Sequence, residues 1–99
     1  MIKLDKRSEV QNLIDKRAHE LWDEALNRHN LFVNPDRVKV YVENQIEGAF
    51  MCPNMWAEGW LDDVSLTAIK NLVEMISVDD MLIACKGSTT KIEGGENQW

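Results

Sequence analysis

The 99-residue chain has no long apolar run and only two prolines, five glycines and two cysteines. Its longest uninterrupted apolar segment, residues 81–85, is far shorter than the roughly 20 residues that a membrane-spanning helix needs. The first seven residues already contain four charged side chains and lack the apolar stretch of a signal peptide. We therefore expect a cytoplasmic protein that does not contact a membrane.

The sequence also lacks the ligand spacing of a metal site. Cys52 and Cys85 stand 33 positions apart, whereas structural zinc sites show closely spaced ligand pairs. His19 and Glu20 resemble the start of the zinc-protease pattern H-E-x-x-H, but the position of the second histidine holds Asp23. We expect reduced thiols, surface histidines and no metal or cofactor.

Patterns that would predict catalysis are missing as well. Residues 86–91 contain lysine, serine and threonine but not the spacing of a phosphate-binding loop. No ordering of serine, histidine and aspartate predicts an activated nucleophile. The acidic residues between positions 58 and 63 do not alternate as they do in cation-binding loops. We therefore favour a protein that is not an enzyme.

What the sequence does contain is a strong asymmetry of charge. Residues 1–42 carry eight lysine or arginine residues and seven aspartate or glutamate residues. Residues 43–85 carry eight acidic residues against one basic residue, Lys70, so that this region has a formal charge of −7 in a chain of net charge −6. Such a negative field repels nucleic acid and attracts a basic protein.

Apolar periodicity and capping patterns predict an all-α fold, a compact bundle of three to four helices. The helices are expected over residues 9–29, 35–50, 64–76 and 78–86. Their starts are marked by residues that cap helices, namely Ser8 with Gln11, Asn34 before Pro35, Asp62 or Asp63, and Ser77. These helices would form one domain over residues 1–87, followed by a flexible polar tail over residues 88–99.

Two segments leave an α+β alternative open. Residues 38–42 alternate apolar and polar side chains and are rich in β-branched residues, as a strand would be. The apolar run at residues 81–85 also fits a buried strand, because a run this short does not distinguish strand from helix. The helix start at Asn34 and the longer apolar periodicity after it favour the helical interpretation.

The first predicted helix is about 30 Å long, the width of the whole domain. Leu21 and Trp22 lie at the centre of its apolar stripe and are expected to be buried. Leu13 and Leu26 lie at the edges of this stripe. Because so short a chain has little apolar surface with which to cover them, we expect self-association into a homodimer through these two leucines.

Trp56 and Trp60, four residues apart, are the strongest candidates for a binding site. Three acidic residues surround them in the sequence: Glu58, Asp62 and Asp63. Aromatic anchors inside a charged rim are typical of protein-binding hot spots. The alternative is that both indoles close the open end of the core and that the aspartates only cap a helix.

Together these features predict a small acidic interaction module, an adaptor or inhibitor of the type found in phages and mobile elements, that binds a basic protein surface. The alternative is a small enzyme or ligand-binding subunit whose site forms between two protomers. Direct binding of nucleic acid ranks third because of the central negative charge. No motif in the chain resembles those of a known family.

Overall fold

The computed structural model describes residues 6–91 of the chain, which are predominantly helical. Five α-helices and two short strands follow one another in this range: α1 (Lys6–His29), β1 (Leu31–Val33), α2 (Pro35–Ala49), α3 (Trp60–Asp63), α4 (Leu66–Met75), α5 (Val78–Ala84) and β2 (Thr89–Lys91). The prediction of a compact helical fold is confirmed. The strands of the α+β alternative are wrong, because α2 and α5 occupy those segments.

The first helix begins earlier than its capping pattern predicts. Ser8 lies inside α1, and the Nε2 atom of Gln11 donates a hydrogen bond to Oδ1 of Asp15, 3.2 Å away, one turn further on. The predicted capping box is therefore wrong. Lysine and arginine favour helix, so Lys6 and Arg7 extend α1 beyond the serine. The helix ends at His29, where Asn30 adopts a φ of 55°, typical of a helix stop.

The helix start at Asn34 is confirmed. Its Oδ1 accepts a hydrogen bond from the backbone N–H of Asp36 at 2.9 Å, and Pro35 occupies the first helical position. The strand-like alternation that follows has a helical explanation. Val38 and Val42 are fully buried on one face of α2, one turn apart, whereas the side chain between them in the pattern, Val40, is 42% exposed.

The third predicted helix, over residues 64–76, corresponds to α4 (Leu66–Met75), and α3 precedes it as a separate single turn. Ser65 caps α4 by accepting a hydrogen bond from the backbone N–H of Ala68, and Asp62 and Asp63 lie inside the single turn of α3. The prediction that an aspartate caps this helix is therefore wrong. At the next helix Ser77 accepts from the N–H of Asp80 at 3.1 Å, which confirms the start of α5.

A small antiparallel sheet pairs the segment between α1 and α2 with the C-terminal end of the described chain. Leu31 pairs with Lys91 and Val33 with Thr89. Part of the segment predicted as a polar tail is therefore a strand, and residues 92–99 lie outside the described residues. Three-residue strands show too little alternation to be predicted, and this pairing exists only because the helical fold brings both segments together.

The core lies between α1 and the other helices. One face of α1 is buried along its whole length through Val10, Ile14, Ala18, Leu21 and Ala25. The predicted burial of Leu21 is complete, whereas Trp22 is half-buried and donates from Nε1 to the carbonyl of Val33 at 2.8 Å. Within residues 6–91 no helix is long and apolar enough to cross a membrane.

We expect Leu21→Ala to lower the free energy of unfolding by about 2–5 kcal/mol, because truncating a buried leucine leaves a cavity. Leu21 is fully buried, whereas Ile83 on α5 is 74% exposed. Ile83→Ala is therefore the control, with an expected change below about 0.5 kcal/mol. Urea unfolding followed by circular dichroism measures both variants. An equally small change for Leu21→Ala would place this face of α1 outside the core.

Candidate interaction site

Basic side chains of α1 fix the positions of the segments that carry the candidate site. The Nζ atom of Lys6 donates a hydrogen bond to the carbonyl of Val64, directly after α3. Arg7 donates from a guanidinium nitrogen to the carbonyl of Trp56 at 2.6 Å. Charged donors make stronger hydrogen bonds than neutral ones, so these two contacts hold the connector between α2 and α4 against α1.

The indole of Trp56 is held from two sides. Its Nε1 donates to Oε2 of Glu43 on α2 at 3.1 Å, and the guanidinium carbon of Arg7 lies 5.6 Å from the centre of the ring. The backbone N–H of Trp56 also donates to Oδ1 of Asn54 at 3.0 Å, which closes a tight turn. Trp56 is half-buried, so part of the ring remains accessible in a fixed orientation.

Trp60 contacts a different neighbour. Its ring lies edge-on to Phe50, with 5.9 Å between the ring centres and an interplanar angle of 72°. The chain turns sharply between the two indoles at Gly59, whose φ is 88°. Such a positive φ favours glycine. Both tryptophans are half-buried against the core, as the alternative interpretation of this pair predicts, but they do not share a helical face.

A cleft of about 440 Å³ brings three of the five predicted site residues together. Trp56, Glu58 and Asp62 line it, together with two basic residues that the sequence did not suggest, Lys6 and Arg7. Trp60 and Asp63 lie outside its lining, although Asp63 is exposed. Only the packing of α1 against the connector places these cations here, so no spacing in the sequence predicts them.

The exposed carboxylates of the second half have no lysine or arginine partner among the described residues. Among residues 6–91, ion pairs join Arg17 to Glu20, Arg28 to Glu24 and Lys39 to Asp15, all within the first half of the chain. One pair crosses between the halves, from His29 to Asp79 at 3.7 Å. No lysine or arginine of the described range forms an ion pair with the exposed carboxylates Glu58, Asp62, Asp63, Glu74 and Asp80.

A second cleft, of about 400 Å³, lies between α1 and the start of α2. Its lining is mostly apolar and consists of Ala18, His19, Trp22, Pro35 and the paired charges of Asp15 and Lys39. His19 is exposed, as predicted for a surface residue, but the sequence does not predict that it lines a cleft. The one available signal is the spacing of His19 and Trp22, three positions apart and therefore adjacent on a helix.

The two thiols do not resemble reactive cysteines. Cys52 and Cys85 are both buried, and the Sγ atom of Cys85 lies 3.8 Å from the carbonyl of Arg37. Burial raises the pKa of the Cys85 thiol above its ordinary value, which lowers its thiolate fraction. Within the part of the chain that the structure describes, no three histidine, cysteine, aspartate or glutamate side chains are placed to hold a metal ion.

No protein-family model, curated protein or solved structure matches this chain. The features of the molecule that bear on its function are therefore the two clefts and the distribution of charge.

We expect both thiols of the folded protein to react slowly with iodoacetamide at neutral pH and rapidly after unfolding in urea, because both are buried. Mass spectrometry of the time course measures the two rates. A Cys52→Ala variant leaves Cys85 as the one thiol that can react. Because the pKa of Cys85 is raised, we expect its labelling rate in the folded protein to be the lower of the two. Rapid labelling of this variant in the folded state would show that the Cys85 environment is open.

Proposed function

We propose that the protein is a small acidic interaction module, an adaptor or inhibitor, that docks on a basic protein surface. The supporting observation is that the exposed carboxylates of the second half form no ion pair with lysine or arginine within residues 6–91. Lys6 and Arg7 lie in the same cleft as Glu58 and Asp62 but donate to backbone carbonyls, and Arg17, Arg28 and Lys39 pair with carboxylates of α1. Such a surface steers a basic partner and speeds its association.

The Trp56 cleft is the proposed centre of this contact. Glu43 and Arg7 already hold the indole and Asn54 holds the backbone of Trp56, so docking on the ring costs little conformational entropy. Glu58 and Asp62 lie at the same cleft and are exposed, as the charged rim of a hot spot would be. In this proposal Asp63 extends the rim, and Trp60 anchors the contact from its place against Phe50.

A non-enzymatic role is part of the proposal. Activated nucleophiles have lowered pKa values and accessible positions. Burial instead raises the pKa of both Tyr41 and Cys85, which makes these two groups poor candidates for a nucleophile at neutral pH.

The double variant Asp62→Asn/Asp63→Asn should slow association with a basic partner and flatten its salt dependence, because it removes two unpaired charges from the rim. The probe is a hexa-lysine peptide, with association rates measured by stopped-flow fluorescence from low to physiological salt. The control Glu9→Gln/Asp23→Asn removes the same charge from α1 and should change the rate less. Equal effects of the two double variants would contradict a site in the second half.

Trp60→Ala separates binding from stability. In the proposed site it should mainly speed dissociation of the peptide, because anchors act on the off-rate. Trp60 also packs edge-on against Phe50, so the free energy of unfolding is measured beside the dissociation rate. A variant that unfolds would show that this indole is a core residue and would remove it from the proposed site.

Self-association into a homodimer belongs to the same proposal. Leu26 is half-buried on α1. Leu13 and Val73 lie in a small groove whose charged side chains are of both signs, namely Lys16, Arg17, Glu20, Lys70 and Glu74. A surface of mixed charge suits a two-fold contact, in which each patch meets its own copy.

Light scattering at high micromolar concentration should report the mass of two chains. Leu26→Lys should shift the protein toward the monomer without unfolding it, because this leucine lies at the edge of the apolar stripe and is only half-buried. Circular dichroism checks the fold of the variant. A monomer for the unmodified chain at the same concentration would contradict the dimer.

A further inference from the structure

The cleft between α1 and α2 has a fixed aromatic wall. Trp22 donates from Nε1 to the carbonyl of Val33 at 2.8 Å, which sets the orientation of the indole. Phe32 lies edge-on to it, with 5.9 Å between ring centres, and His19 stacks beside it at 6.2 Å. Because these contacts hold the indole, the wall is preformed for a planar group. The cleft volume of about 400 Å³ lies within the usual range for binding pockets.

The charge at the mouth of this cleft favours a cation. Lys39 pairs with Asp15 at 3.0 Å, and both side chains are about half exposed. The hydrogen bond and charge of Asp15 raise the pKa of Lys39 most, and the charges of Asp36 and Glu43 raise it further, so the field at this ammonium is negative. A second cation at the mouth would therefore meet a net negative environment and compete with Lys39 for Asp15.

We infer that this cleft binds an arginine side chain of a basic protein partner. A guanidinium is planar, stacks on an indole face and pairs with a carboxylate in a fixed geometry, so Trp22 and Asp15 together suit it. A lysine ammonium gains less from the flat wall because it is a compact point charge. The inference rests on the proposed function for the existence of a basic partner, but it uses a different surface from the Trp56 cleft.

The test compares hexa-arginine with hexa-lysine, two peptides of equal length and charge, by isothermal titration calorimetry. The unmodified protein should bind hexa-arginine about threefold more tightly, the size expected of an exposed cation–π contact. Lys39→Ala should increase the affinity for hexa-arginine by about a further threefold, because Asp15 loses its competing partner. A gain of affinity is not produced by a variant that fails to fold.

Lys86→Ala is the matched control, since it removes the same charge from an exposed lysine that lines neither this cleft nor the Leu13 groove. It should strengthen the binding of both peptides slightly and equally. Asp15→Asn should reduce the preference for hexa-arginine. The Trp22 indole N–H resonance, assigned with Trp22→Phe, should shift on addition of hexa-arginine and report occupancy of the cleft directly.

Four results would overturn the inference. The first two are equal affinity for the two peptides and equal gains from Lys39→Ala and Lys86→Ala. The third is a benzoate-induced shift of the Trp22 resonance that Lys39→Ala abolishes. The fourth is a shift of that resonance with protein concentration alone. The third would make the cleft an anion pocket, and the fourth would assign it to a second copy of the chain. Salt-sensitive but equal binding of both peptides would overturn the arginine cleft and leave the proposed function standing.

Discussion

The architecture depends on hydrogen bonds that side chains of α1 donate to backbone carbonyls at the ends of other segments. Lys6 donates to the carbonyl of Val64 after α3, and Arg17 donates to the carbonyl of Ile76 after α4. Arg7 donates to the carbonyl of Trp56 in the connector, and Trp22 donates to the carbonyl of Val33 at the end of β1. Carbonyls at helix ends lack partners inside the helix, so a basic donor from a neighbouring helix satisfies them where the chain changes direction. The apolar face of α1 supplies the core, and these donors fix the connections around it.

The same bonds engage several of the basic side chains. Lys6 and Arg7 lie in the same cleft as Glu58 and Asp62, yet both donate to backbone carbonyls. Among the described residues, the contact between His29 and Asp79 at 3.7 Å is the one salt bridge between the two halves, and it is an ion pair only when the imidazole is protonated. The exposed carboxylates of the second half remain in water, so they avoid the cost of a buried unpaired charge.

In each cleft, a tryptophan whose indole N–H already donates a hydrogen bond forms part of the wall. The N–H of Trp56 is bound to Glu43 and the N–H of Trp22 to the carbonyl of Val33, so each ring has a defined orientation before any ligand arrives. The Trp56 cleft includes the connector that follows the carboxyl-terminal end of α2, and the Trp22 cleft includes the first turns of α2. A partner that engages both would gain affinity through simultaneous binding.

The sequence by itself determined the helical class, the starts at Asn34 and Ser77, the buried position of Leu21 and the charge asymmetry, because these follow from local capping chemistry and from periodicity along one element. It partly determined the candidate site, since Trp56, Glu58 and Asp62 are neighbours in the chain. Only the tertiary structure decided that Lys6 and Arg7 complete that cleft, that the segment after residue 88 pairs with β1, and that His19 and Trp22 face α2. These features join residues distant in sequence, and no local preference records which distant segments will pack together.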